Sequence, residues 1–287
     1  MVQNQVGNPL ASFMRQPKIY ITLPSGGEYY PPGSLVMPEN GQLPVYSMTA
    51  KDELMLNIPD ALMNGQAVVD VIQHCVPNIK NAWMIPSLDL DLILLSIRLA
   101  TYGELMRTPV TLKDGIEFDY QVDIRNIMDS LMSEIKWDPV IQISPEMTIF
   151  VRPVNYQQMS RTAIKTFETQ KIMQAVNDDS IPQEQKTIIF KDSFQKLTEV
   201  TIDVIASSVY KIDTSEGTVE NPEYIKEFVD NADKDIFNKI QKHLENLKEQ
   251  NSIKPLRIEV TDELREQGIT EDIIEIPLVF DPANFFG

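Results

Sequence analysis

The sequence predicts an α+β fold, with a mixed N-terminal portion around a buried central helix and a mostly helical C-terminal portion closed by short strands. Residues 85–104 are almost continuously apolar, which predicts the central helix, and alternating side chains predict strands before and after it. Helical periodicity takes over near residue 152. We therefore divide the chain into a Pro-rich extended N-terminal arm with one strand (1–45), a mixed α/β portion with the central helix (46–151), and a mostly helical portion with C-terminal strands and a docking tail (152–287).

The N-terminal arm is marked by its prolines, since residues 1–59 contain eight of the nineteen in the chain. Residues 18–23 alternate apolar and polar side chains and predict the strand of the arm. The segment that follows them predicts a long extended stretch. Such an arm either lies across a neighbouring subunit or ends freely in solvent, and the sequence leaves both interpretations open.

Two helices are predicted before the central one. Thr49 is the expected N-cap of the first, with Asp52 and Glu53 in its first turn, and Pro59 ends it. The second helix is predicted over residues 66–75.

The central helix is predicted to begin after Pro86, which resists the continuation of an upstream helix, with Ser87 as its N-cap. Asp89 and Asp91 follow in the first turn, where carboxylates stabilise the positive end of the helix dipole. The next residues are apolar on nearly every face, so other elements must surround this helix: Leu92, Ile93, Leu94, Leu95, Ile97, Leu99 and Ala100.

Two further residues of this helix are singled out by their type. Arg98 is a lone charge among aliphatic residues and therefore requires a carboxylate or carbonyl partner. Asp89 and Asp91 are poor candidates for that partner, because they lie about two turns away. Gly103 is a typical stop signal at a helix C-terminus. The structural core is predicted to include four residues of this segment: Asp89, Asp91, Arg98 and Gly103.

Strands are predicted on the C-terminal side of the central helix. Residues 105–112 and 116–127 alternate around a Lys-Asp-Gly turn, which is the pattern of a β-hairpin. Residues 139–144 and 147–151 predict two more short strands.

Two long helices are predicted next. The first follows Pro153 and has one apolar face, consisting of Tyr156, Met159, Ala163, Ile164 and Phe167. A capping box at residues 180–183 opens the second, which is predicted to reach about residue 210 before a loop at 214–217. Its apolar residues are Phe190, Phe194, Leu197, Val200, Val204 and Ile205.

The chain is predicted to close with a short helix from residue 221, an amphipathic helix over 233–250 and extended runs at 255–260 and 272–280. The apolar stripe of the amphipathic helix is typical of core and occasionally of a seam with a partner helix. Phe285 and Phe286 stand close to the C-terminus, where a chain normally frays into water. We expect this tail to dock, either on its own subunit or in the groove of a partner.

Charge excludes one class of partner. The formal net charge is −17, and residues 177–287 alone contribute 12 basic and 24 acidic residues, a net of −12. Nucleic-acid binding requires clustered Lys and Arg, so no nucleic-acid partner is predicted. No membrane partner is predicted either, because charged residues interrupt the central apolar run. Residues 1–17 lack the apolar run of a signal peptide, so we expect the chain to work in a cytoplasm.

Catalytic and metal-binding motifs are missing from the sequence. It contains no nucleophile elbow, no Gly-rich phosphate loop, no dinucleotide fingerprint, no Cys-x-x-Cys and no His-Glu-x-x-His. Cys75 is the single cysteine and cannot form an internal disulfide, and only His74 and His243 are available as imidazole ligands. We therefore predict no catalytic residue, no cofactor and no metal.

Three segments carry a recognisable pattern. In residues 83–104, a proline is followed by two aspartates and by an apolar helix that ends in Arg-x-x-x-x-Gly, with Pro86, Asp89, Asp91, Arg98 and Gly103 at these positions. In residues 147–172, a helix opens with Arg-Pro-x-x-Tyr at Arg152, Pro153 and Tyr156. The third segment, 277–287, ends in Phe-Phe-Gly. From about residue 46 to its end, the chain resembles the baseplate hub and tail-assembly protein family of T4-like tailed bacteriophages.

The resemblance implies a non-enzymatic protein of the phage tail. It is either a component of the baseplate hub or an assembly factor that holds the tape-measure protein in the manner of a chaperone. Hub and tape-measure proteins are the implied partners, and homo-oligomerisation is left open. The implied location is the host cytoplasm during assembly and, for a hub component, the tail baseplate of the virion. The implied interaction residues are Arg152, Tyr156, Asp281, Phe285, Phe286 and Gly287.

Two further expectations accompany the resemblance. Some family members carry cysteine pairs that look like a small zinc site, and this chain has none, so a metal is not carried over. The alternative function is a tail-associated hydrolase that uses two carboxylates. The sequence disfavours a hydrolase, because Asp89 and Asp91 are two positions apart on a helix and face different directions. The other adjacent pair, Asp178 and Asp179, falls between predicted helices.

Overall fold

The computed structural model describes residues 14–58, 65–111, 117–133, 137–175, 182–262, 265, 269 and 272–276. Within them, eight α-helices and ten short strands form an α+β fold, as the sequence predicted. The predicted docking tail lies outside the described residues, and so do the turn at 113–115 and the acidic pair at 178–179.

The first core surrounds helix α3 (Ser87–Tyr102). Every residue from Leu92 to Ile97 in this helix is buried, which confirms the prediction of a central helix enclosed on all sides. The elements before it in the chain are strands β1 (Ile19–Ile21) and β2 (Leu43–Val45), helices α1 (Ala50–Leu56) and α2 (Gln66–Cys75), and a 3₁₀ turn (Ala82–Met84).

The described part of the N-terminal arm packs on this same core. It contains two antiparallel strands, with Ile19 opposite Val45, where the sequence predicted one strand. Ile21, Leu23 and Leu43 are buried in the first core. From residue 14 onward the arm therefore packs on its own subunit. A short apolar strand predicts that its side chains are buried, but it does not predict which surface covers them. The sequence therefore left the position of the arm open.

Two predicted helix starts have different outcomes. Thr49 caps α1 with a reciprocal capping box, in which Asp52 accepts the N–H of Thr49, as predicted. Ser87 is not the N-cap of α3, because Pro86 occupies that position and Ser87 is already helical. The backbone N–H of Ser87 instead donates to the carbonyl of Val154 at 2.8 Å, so a distant segment satisfies this helix end.

A hairpin of β3 (Leu105–Thr111) and β4 (Glu117–Asp123) follows the central helix, as predicted. The second strand ends at Asp123, although the sequence predicted it to continue to residue 127. Helix α4 (Ile124–Ser133) begins there instead, and Asp123 accepts the N–H of Arg125. The reason is visible in the buried residues of this helix, which recur with helical spacing: Ile124, Ile127 and Met128.

The second core contains a four-stranded antiparallel sheet in the order β5 (Val140–Ser144), β6 (Met147–Val151), β7 (Val209–Thr214) and β8 (Gly217–Val219). The loop predicted at 214–217 is the turn of the β7–β8 hairpin. Helices α7 (Pro222–Asn231) and α8 (Lys234–Asn251) cover this sheet, and the apolar stripe of α8 is part of the core, as is typical of such stripes. Strands β9 (Leu256–Glu259) and β10 (Ile273–Ile276) pair with each other and pack beside the β3–β4 hairpin.

Helices α5 (Tyr156–Ala175) and α6 (Gln183–Ser208) form an antiparallel helical hairpin. Its base is anchored in both cores, because Tyr156 belongs to the first and Ile205 to the second. Helix α6 ends at Ser208, so the chain enters β7 two residues before the predicted helix end at about 210. The N-cap of α6 is Pro182, which makes no side-chain capping bond.

Candidate interaction surface

Asp89 is fully buried in the first turn of α3. Its carboxylate accepts two hydrogen bonds from Ser25, one from the backbone N–H at 2.8 Å and one from the hydroxyl at 2.5 Å. Burial raises the pKa of Asp89, and the hydrogen bonds from Ser25 act in the opposite direction. Asp89 thus attaches the turn after β1 to the central helix, which is a structural role.

Asp91 lies in a different environment. Its side chain is half-buried, and burial raises the pKa of Asp91 to about 6. Among the described residues, no hydrogen bond or ion pair to Asp91 offsets that burial. The two carboxylates of the helix therefore have separate surroundings, and their arrangement gives no support to a paired acid and base.

The other two residues predicted as core lie at the end of α3. The guanidinium carbon of Arg98 is 5.5 Å from the centre of the Tyr102 ring, and burial lowers the pKa of Arg98. A buried carboxylate that holds Arg98 stays a prediction. Helix α3 ends at Gly103, as predicted, with φ of +90° and its N–H donated to Leu99 at 3.1 Å. This positive φ favours glycine over any residue with a side chain.

Tyr156 and Arg152 lie where α5 leaves the first core. The Tyr156 ring stacks on Trp83 with 5.6 Å between ring centres, and its backbone N–H donates to Ile85 at 2.8 Å. Burial raises the pKa of Tyr156 to about 12. Tyr156 is therefore engaged within its own subunit, whereas the side chain of Arg152 is exposed and its backbone N–H donates to Ser208. Of these two residues, only Arg152 is placed where a partner could contact its side chain.

The distal part of the α5–α6 hairpin has an unusual distribution of side chains. Thr169 and Ser193, both small and polar, are its buried residues. Three phenylalanines are exposed, Phe167 to 52%, Phe190 to 37% and Phe194 to 60%, while Ile189 and Leu197 are half-buried. We call these three phenylalanines the hairpin flank. Exposed aromatic side chains of this number on one element are typical of a contact surface.

A family model described as "T4 bacteriophage base plate protein" matches residues 16–262. The chain belongs to this family. No curated protein and no solved structure matches it significantly. The matched range, residues 16–262, includes the first core, the second core and the α5–α6 hairpin.

Membership in the baseplate family confirms the resemblance to a T4-like baseplate protein, and the matched range includes the first two of the three segments. It gives this baseplate protein a structural role in general, an association with the virion tail, and other tail and baseplate proteins as partners. Across the described ranges, no helix is both long and apolar enough to cross a membrane. In those same ranges, no group of three or more His, Cys, Asp or Glu side chains is placed to hold a metal ion.

The sequence predicts the three residues of the hairpin flank as apolar helix residues, but it does not predict that they are exposed. The sequence predicts Phe167 on the apolar face of α5 and Phe190 and Phe194 in the apolar set of α6, but periodicity does not predict which apolar faces are covered. Ser25, which binds Asp89, was missed altogether. Its turn lies 64 positions from Asp89, and no local signal connects the two residues.

Proposed function

We propose that this baseplate protein has no catalytic role and acts through protein contacts during construction of the tail. It serves either as a component of the baseplate hub or as an assembly factor that holds the tape-measure protein in the manner of a chaperone. The observation that carries the proposal is the hairpin flank, an apolar surface that the described part of the chain leaves uncovered. The two carboxylates of the central helix support it, because one binds Ser25 and the other faces no acidic partner among the residues that the structure describes.

The test is a co-expression pull-down against the hub and tape-measure proteins of the same phage. Bait chains are the full-length protein, a form that lacks residues 284–287, and the variant Phe194→Ser. We expect the full-length chain to capture at least one of these proteins. Loss of capture on truncation would support the predicted docking tail, and loss in Phe194→Ser would assign the contact to the hairpin. Failure of the folded full-length chain to capture any tail protein would contradict the proposal.

Immunoblotting of purified virions separates the two forms of the proposal. A hub component remains in the finished particle, so the protein would be detected in virions as well as in infected cells. An assembly factor is detected only in cells. A hydrolytic activity on peptidoglycan that Asp91→Asn abolishes would instead support the alternative function.

A further inference from the structure

We propose that two copies of this chain associate through the hairpin flank, so that their α5–α6 hairpins pack into a four-helix bundle. The inference rests on the proposed function, in which the flank is a protein contact, and it assigns a second copy of the chain, in place of a hub or tape-measure protein, to that surface. Phe167, Phe190 and Phe194 would be buried at the contact between the copies.

The interior of the hairpin provides the first argument. An isolated pair of helices normally places its largest apolar residues between the helices, because that removes most apolar surface from water. Here the buried residues of the distal part are Thr169 and Ser193, Ile189 and Leu197 are only half-buried, and the phenylalanines are exposed. The pair therefore reaches the packing of a helical bundle only when further helices cover the flank.

The geometry of the two helices gives the second argument. Phe190 and Phe194 are four residues apart and so lie one above the other on α6. Counted around each helix at about 100° per residue, Phe167 on α5 falls on the same side of the hairpin as these two residues. Ile172 and Ile188 fall on the opposite side. The three aromatic side chains thus form one surface, which two identical copies can bury by a two-fold rotation.

Charge favours a second copy as the occupant of the flank. Helices α5 and α6 carry six basic and five acidic residues, a net of +1, whereas the remaining chain carries 19 basic and 37 acidic residues, a net of −18. Two copies repel each other over most of their surface and can approach closely only where this repulsion is absent. A strongly basic partner would be drawn to the acidic remainder of the chain and not to the near-neutral hairpin.

The experiment measures the molar mass of the full chain by sedimentation equilibrium over a range of concentrations. The monomer has a mass of 32.7 kDa, and we expect the wild type to approach twice this value. Phe194→Ser should weaken the dimer at least about tenfold. Ile188→Ser is the matched control, because Ile188 is 59% exposed and Phe194 60%, on opposite sides of the hairpin. Circular dichroism melting checks that both variants remain folded.

Two results would overturn the inference: a wild type that stays monomeric throughout, or a dimer weakened equally by the two substitutions. Its failure is distinguishable from failure of the proposed function. A monomer that captures tail proteins through the flank refutes only the self-association. A dimer that captures none of them refutes only the role in tail construction.

Discussion

Replacing Asp91 by Asn should stabilise this protein at neutral pH. The side chain of Asp91 is half-buried among the residues around the central helix, and burial raises its pKa to about 6. An aspartate in that position must be charged at pH 7.5 in surroundings that disfavour charge. Asparagine has nearly the same shape and does not titrate, so the substitution removes the cost of charging and leaves the packing intact.

The size of the effect follows from the pKa. The usual value is 3.8 and the value in the folded chain is about 6. At about 1.4 kcal/mol for each pKa unit, the charged carboxylate lowers the free energy of unfolding by about 3 kcal/mol above pH 6. Because the folded state binds the proton more tightly than the unfolded state, this cost decreases as the pH falls from 6 to 4 and is absent below pH 4.

Urea denaturation at pH 7.5 and at pH 4 measures the difference. We expect Asp91→Asn to raise the free energy of unfolding by up to about 3 kcal/mol at pH 7.5 and to have little effect at pH 4. Asp129 is exposed on α4, and Asp129→Asn is the control for the change in net charge. The reasoning is refuted if Asp91→Asn is no more stable than the wild type at pH 7.5, or if it gains the same amount at both pH values.

Three further predictions concern the first core. Asp89→Ala removes a buried acceptor of two hydrogen bonds and should cost about 3 kcal/mol in urea denaturation; an unchanged midpoint would contradict the structural role of this carboxylate. Gly103→Ala introduces a side chain at φ of +90° and should cost about 1 kcal/mol, seen as a lower melting temperature. For Asp52, burial alone would raise the pKa, but hydrogen bonds from Thr49 and His74 outweigh it and the pKa is lowered. Asp52 therefore contributes to stability above pH 4, and this contribution is lost as the pH falls through its lowered pKa. In urea denaturation, Asp52→Asn should show a smaller decrease in the free energy of unfolding between pH 7 and pH 3 than the wild type.

Local chemistry made several elements predictable. The capping box at Thr49 and the helix end at Gly103 depend on residues within one turn of each other. The central helix was predictable because a segment that is apolar on every face has to be enclosed. The β3–β4 pairing was predictable because alternation on both sides of a tight turn specifies a hairpin.

The candidate site was only partly predictable. The sequence identified Asp89 and Asp91 but not their surroundings, since the turn that carries Ser25 folds back from far along the chain. It identified Tyr156 as an interaction residue, and the structure places that ring against Trp83 of the same subunit. The tail at Phe285 and Phe286 stays a prediction.

The sequence by itself determined that α5 and α6 are helices with apolar faces, because hydrophobic periodicity acts over a few residues. Only the tertiary structure decided which of those faces is covered. The first turn of α5 meets the core at Tyr156, and the same helix presents Phe167 to solvent three turns later. The physical reason is that burial depends on neighbours brought in from elsewhere in the chain, and the chain supplies none for the hairpin flank among its described residues.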